Sequence, residues 1–130
     1  MQDQTPPAAP PGLPTSLEVD EKGYPNEAII EQIARANSVG TGGRWMVDVF
    51  PKLAASIPYG KCFVSNDVYV KGERWTRITF QTEGWGGCED FVGAVVGNSA
   101  LRVRYFDAED WEPGGRYSFC VPQSDLDVTR

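Results

Sequence analysis

The sequence contains no histidine. That removes the commonest general base, the Ser-His and Cys-His nucleophile pairs, and imidazole as a metal ligand. Cysteine is scarce too. Cys62, Cys88 and Cys120 are widely spaced and form no CxxC pair. A disulfide framework and a zinc site both lack the residues they need, so small, partly buried thiols are expected. No apolar run approaches the roughly 20 residues that span a bilayer. No basic region followed by an apolar stretch opens the sequence, which predicts no secretory leader and no membrane association. No carboxylate pair stands at a spacing suited to acid–base work. The expectation is a non-enzymatic cytoplasmic protein with no metal, no cofactor and no catalytic residue.

Basic residues are the minority charge. Lys and Arg number 12 against 18 Asp and Glu, for a net charge of -6. That disfavours duplex nucleic acid and anionic membranes as partners. It suits a basic protein surface, or plain solubility.

What is present fits one domain: 130 residues, 41% of them hydrophobic. Residues 1–22 read as a disordered, Pro/Ala-rich acidic tail without apolar periodicity. Residues 23–123 read as the domain, and 124–130 as a C-terminal tail. PNEAIIEQIARAN predicts a helix with Asn26 as N-cap, stopped by Gly40, Gly42 and Gly43. RWMVDVFPKLAASI predicts a second helix, which Pro51 either kinks or divides. Val68 and Val70 alternate with Tyr69 and Lys71, and RWTRITFQT alternates after a Lys71-Gly72-Glu73 turn, predicting a hairpin. CEDFVGAVV fits either a helix or a strand: two acids in its first turn and Gly97-Asn98 after it look like helix ends, its three valines argue for a strand, and helix is the reading taken. LRVRYF and RYSFCV both alternate, predicting a second hairpin across DAEDWEPGG. The expected fold is α+β: an antiparallel four-stranded sheet of two hairpins, with about three helices packed on one face, in the order ααββαββ.

Strand parity then sorts residues by face. Val68, Val70, Ile78, Phe80, Leu101, Val103, Tyr105, Tyr117, Phe119 and Val121 are expected to point to the core. The opposite face receives Tyr69, Trp75, Arg77, Thr79, Arg102, Arg104, Phe106, Arg116, Ser118 and Cys120. Arginines and aromatics together have the composition of interface hot spots and stacking platforms. Tyr69, Trp75, Arg77, Arg102, Arg104 and Arg116 are therefore the candidate partner-binding residues. The alternative is a solvated face whose arginines pair with acids of the DAEDWE loop. A second candidate is the GWGG corner. Trp85, Gly86 and Gly87 open a helix whose backbone N–H groups point outward and suit an anion. Glu89 and Asp90 compete for that positive end and no lysine follows, so a structural corner anchored by Trp85 is the stronger reading.

TEGWGGCEDFVGAV, followed by PGGRYSFCV, resembles a group of small phage and prophage proteins with a TGGWSGNE-like motif and a GGxYxF strand. The matching positions are Thr82, Gly84, Trp85, Gly87, Glu89, Gly114, Gly115, Tyr117 and Phe119. Gly86, Cys88 and Glu83 depart from the group's Ser, Asn and Gly, and LRVRYF lacks its tryptophan. The resemblance implies a mobile-element origin and a fold, but no chemistry. The function expected is an accessory protein, in the cytoplasm of the host cell, that binds and inhibits or redirects a host protein, such as a host-defence component. Two alternatives stand beside it. One is a sponge for a nucleotide-like small ligand. The other is an immunity protein that neutralises a toxic nuclease through the DAEDWE loop and Trp111.

Overall fold

The computed structural model describes residues 12–112 and 114–126, apart from the side chain of Asp67. Helix α1 spans Glu27–Arg35. Its start is set by Asn26, whose side-chain oxygen accepts from the Ile29 N–H at 2.9 Å. Ile29 and Ile33, one turn apart, are its buried stripe. The segment before it corrects the expected tail. Leu13 and Leu17 pack against the core, and the Trp45 indole N–H donates to the Pro14 carbonyl at 2.7 Å. Val19 bridges Pro25 around a turn held by Asp20, which accepts from the N–H groups of Lys22 and Tyr24. Residues 12–22 therefore belong to the domain, and the rest of the predicted tail, 1–11, lies outside the described residues.

The second predicted helix is divided. Helix α2 covers Gly42–Asp48 and α3 covers Phe50–Ser56, with Pro51 in the first turn of α3. There its missing N–H costs nothing, because the first-turn donors have no intrahelical acceptor. Of the glycines expected to stop α1, Gly42 and Gly43 instead open α2 and Gly40 turns the chain before it at positive φ; α1 ends sooner, at Ala36.

Strands β1 (Lys61–Val70) and β2 (Glu73–Gln81) form the predicted hairpin, with Lys71 and Gly72 at positive φ in the turn. Strand β3 (Arg116–Pro122) pairs antiparallel with β2, giving the sheet order β1-β2-β3. Between β2 and β3 come α4 (Gly86–Gly97) and α5 (Ser99–Tyr105). Helix α4 is the assignment made from sequence. Helix α5 corrects it, because LRVRYF was expected as a strand. Its buried residues, Leu101 and Tyr105, stand one helical turn apart, and Val103 between them is 79% exposed.

Asn98 fixes where α5 begins. Its Oδ1 accepts from the Leu101 N–H at 3.3 Å and from Ser38 Oγ at 3.2 Å, and its amide group donates to the carbonyls of Ile33 and Ala36 at 2.9 and 3.0 Å. One buried side chain thus caps α5 and satisfies the end of α1. After α5, Phe106 makes a single antiparallel bridge to Phe119. The chain touches the sheet where the fourth strand was expected without forming one. A short α6 (Gln123–Leu126) closes the described chain; Leu126 is buried, so 124–126 are not tail.

The α+β class and the antiparallel sheet stand. The core lies between the helices and one sheet face, centred on Phe50, which stacks on Phe91 at 5.3 Å and meets Phe80 and Phe119 edge-on. All four rings are fully buried, each worth about 2–3 kcal/mol in transfer. Among the described residues no helix is long and apolar enough to cross a membrane.

Candidate functional site

On β2 and β3 the predicted parity holds. Ile78, Phe80, Tyr117, Phe119 and Val121 are buried, while Trp75, Arg77, Thr79, Arg116 and Cys120 take the other face. On β1 it fails after Ser65. Ser65 opposes Arg77 and Val68 opposes Trp75, so Asn66 and Asp67 together face one residue of β2. This is a β-bulge, and it reverses the alternation beyond it. Val68 and Val70, expected in the core, turn to the outer face beside Trp75. Tyr69, expected on the outer face, turns away from it and pairs with Arg74. Asn66 steadies the bulge: its carbonyl accepts from Arg74 Nε at 2.8 Å and its side chain meets Thr76 at 3.3 Å.

The DAEDWE loop folds over the β3 side of this face. Arg77 reaches Asp110 at 2.6 Å and Asp107 at 3.3 Å. Arg116 reaches Asp110 at 2.9 Å and Glu112 at 3.0 Å. Ser118 Oγ also donates to Asp110, at 3.0 Å. The Ser118 hydrogen bond, with help from Arg116 and Arg77, holds the Asp110 carboxyl below its ordinary range. Two of the candidate arginines are therefore engaged inside the molecule, as the solvated-face alternative expected.

The other two correct the sequence reading, because α5 carries them off the sheet. Arg102 is exposed and donates to the Val96 carbonyl at 2.8 Å. Arg104, also exposed, lines a cleft of about 340 Å3 with Val68, Val70, Trp75, Arg77, Phe106 and Cys120. Trp75, Arg77 and Arg104 are thus brought together, while Tyr69, Arg102 and Arg116 are not part of that cleft.

The GWGG corner is a strand-to-helix joint. Glu83 and Gly84 both have positive φ, and the Gly84 N–H donates to Thr82 Oγ1. Gly87 lies against the Tyr24 ring so closely that any Cβ would overlap it. Thr82 Oγ1 and the Tyr117 hydroxyl both donate to Glu89, and the Thr82 N–H donates to the Gly115 carbonyl at 2.9 Å. The two motifs that carried the resemblance are therefore physically clasped, and Glu89 is occupied as their common acceptor. Trp85 is not a core anchor. It is exposed and stacks on Tyr59 with ring centroids 4.4 Å apart, and Tyr59 itself has a φ of 71°.

The sequence reading missed the β1 edge. No strand pairs with the outer edge of β1 among the described residues. Phe63, Val64, Tyr69 and Val70 on it are 54%, 44%, 64% and 48% exposed. Phe63 opposes Thr79 and Val64 opposes Ile78, so the strand shows apolar side chains on both faces. The sequence signal was there: CFV has no polar alternate, which a half-buried strand would have.

The three thiols are free. Burial pushes Cys62 up to about 12 and raises Cys88 and Cys120, so none is poised as a thiolate nucleophile. Among the described residues no cluster of three Cys, Asp or Glu could hold a metal ion. In comparisons with known proteins, no family model, no curated protein and no solved structure matches this chain.

Proposed function

We propose that this protein is a non-enzymatic binding module that takes an extended segment of a partner protein onto the β1 edge. The observation that carries the reading is the open edge itself: ten residues of strand, with unpaired backbone on one side and four exposed apolar side chains. Added strands gain affinity from main-chain hydrogen bonds and specificity from alternate side chains. Soluble monomers protect such edges with charges, prolines or covering segments. Here Lys61 and Lys71 stand at the ends, and Asp67 and the bulge interrupt the middle, so the stretch before the bulge with Phe63 and Val64 is the part left without such protection. The Tyr59–Trp85 stack adjoins the start of β1 and supplies the residue types that anchor interfaces. The resemblance to small phage proteins suggests the partner class: a protein of the host cell, such as a defence component, that is inhibited or redirected. The immunity reading carries less, because Asp107, Asp110 and Glu112 are engaged by Arg77 and Arg116.

The test is capture from host lysate by the wild type and by a Phe63→Lys/Tyr69→Lys variant, read by mass spectrometry. The variant should keep the wild-type urea midpoint and lose a protein that the wild type retains. An identical captured set would sink the edge assignment. An Arg102→Glu/Arg104→Glu variant separates the readings, since it should capture as well as wild type.

A further inference from the structure

The hydrogen bonds of the sheet decide which backbone groups of the β1 edge are free. On β3, the Ser118 carbonyl accepts from the Asp107 N–H, and Arg116 exchanges both its bonds with Glu112, on the side away from β2. Successive residues of a strand turn their backbone groups to opposite sides. Tyr117, Phe119 and Val121 therefore bond to their partners on β2, which are Phe80, Ile78 and Thr76. The alternate residues Arg77, Thr79 and Gln81 bond to Ser65, Phe63 and Lys61 of β1. Cys62 and Val64 are left with N–H and carbonyl groups that point outward. The side chains there are apolar on both faces. Cys62 and Val64 oppose Phe80 and Ile78 on the core face, and Phe63 opposes Thr79 on the other. Phe63, Val64, Ser65 and Asn66 are all exposed. A matching strand must carry apolar side chains at successive positions, which an alternating, half-buried strand does not. Cys62-Phe63-Val64 is itself such a run.

We infer that the β1 edge pairs antiparallel with the β1 edge of a second copy, about a two-fold axis at Phe63. This rests on the reading of that edge as an interaction surface, and it names an occupant that regulates the surface. The axis is perpendicular to the sheet, so each face continues as the same face of the second copy. Cys62 of each copy opposes Val64 of the other, and each such pair exchanges two main-chain bonds through the outward groups. Phe63 meets its own counterpart in a non-hydrogen-bonded pair, where cross-strand side chains come closest. Lys61 opposes Ser65, so no like charges face each other. An axis at Val64 would instead set Phe63 against Ser65 and Cys62 against Asn66, losing the apolar match. The pairing stops short of the bulge, so the contact is small and the dimer weak and concentration-dependent. It covers the backbone that a partner segment would take, and the partner must displace it.

Sedimentation equilibrium of the full chain under reducing conditions tests this. From about 10 µM to about 1 mM the mass should rise from one copy and level at two. Phe63→Lys should remain one copy throughout, because a charge at the axis faces itself. Arg102→Glu, on α5, should dimerise as wild type. Oxidation reads the register. Phe63→Cys should cross-link beyond the wild-type background, since non-hydrogen-bonded pairs bring Cα atoms to about 4.5 Å, within disulfide reach. Ser65→Cys should not. A wild type still monomeric at about 1 mM overturns the inference. So does a dimer that Phe63→Lys keeps, or equal cross-linking by Ser65→Cys. A monomeric wild type whose lysate capture is still lost in Phe63→Lys/Tyr69→Lys would sink self-pairing and leave the partner reading standing. A wild-type dimer of this register with capture unchanged in that variant would do the reverse.

Discussion

The Tyr117 hydroxyl donates to the Glu89 carboxylate at 2.7 Å, across a sequence separation of 28 residues. Thr82 donates to the other oxygen of the same carboxylate. The end of β2, the first turn of α4 and the start of β3 are therefore joined through one acid. Tyr117→Phe removes one of its two hydroxyl donors and should cost about 1–2 kcal/mol by urea denaturation. Glu89→Ala strands two part-buried hydroxyls and should cost more. A Glu89→Ala protein as stable as wild type would show that the clasp contributes nothing.

Neighbouring glycines at the same corner should behave oppositely. Gly87→Ala drives a methyl into the Tyr24 ring and should lose about 1–3 kcal/mol. A Cβ on Gly86 meets nothing within 4 Å. Gly86→Ala should be neutral or gain about 0.4–1 kcal/mol through the unfolded chain. Thermal unfolding of the two variants side by side checks the contrast.

Asn98→Ala should be among the most damaging polar substitutions. It uncaps α5, removes the side-chain donor to the Ala36 carbonyl and leaves the Ile33 carbonyl with only the 3.4 Å bond from the Ala36 N–H. The expected loss is about 2–4 kcal/mol. Hydrogen exchange should show faster opening at both the end of α1 and the start of α5. Faster exchange in α5 alone would mean that the side chain acts only as a cap.

Acid should release the loop over the outer face. The Asp110 carboxyl is lowered by its Ser118 hydrogen bond and by Arg116 and Arg77. A group lowered in the fold contributes stability above its unfolded value, near 3.9, and loses it as pH falls through the folded value. The gap in urea midpoint between wild type and Asp110→Asn should therefore be open at pH 6 and close below about pH 4. A gap that persists at pH 2 would assign the effect to packing.

Alkali should act through the buried thiols and phenols. Burial raises Cys62, Cys88 and Cys120, and raises Tyr117 with added help from the Glu89 hydrogen bond. These groups ionise more easily unfolded, so their contribution is complete below the unfolded values and fades above them. Stability should decline from about pH 8.5 upward, thiols first and phenols near 10. Cys62→Ala should flatten the first part of that decline.

Much of the fold was legible because local signals agreed. The Asn26 cap, the hairpin turn at Lys71-Gly72 and the helix ends around CEDFVGAVV all had the chemistry that their elements needed. LRVRYF misled because alternation over six residues also places Leu101 and Tyr105 four apart. The side chain that decided for a helix, Asn98, acts through α1, distant in sequence. The candidate site was legible on β2 and β3, where Trp75 and Arg77 sit as expected. It was lost on β1, where a bulge has no fixed sequence mark. The pairing of Arg77 and Arg116 with the acidic loop was foreseen as an alternative, and which arginines it would engage was not.

The bulge between Ser65 and Val68 also makes the molecule editable at a single codon. Removing Asn66 would restore unbroken alternation and carry Val68, Val70 and Tyr69 to opposite sides of the hairpin at once. Cleft lining and edge tyrosine would exchange places with no change in any side chain. One inserted residue thus works as a toggle, allotting the same short strand to two different surfaces.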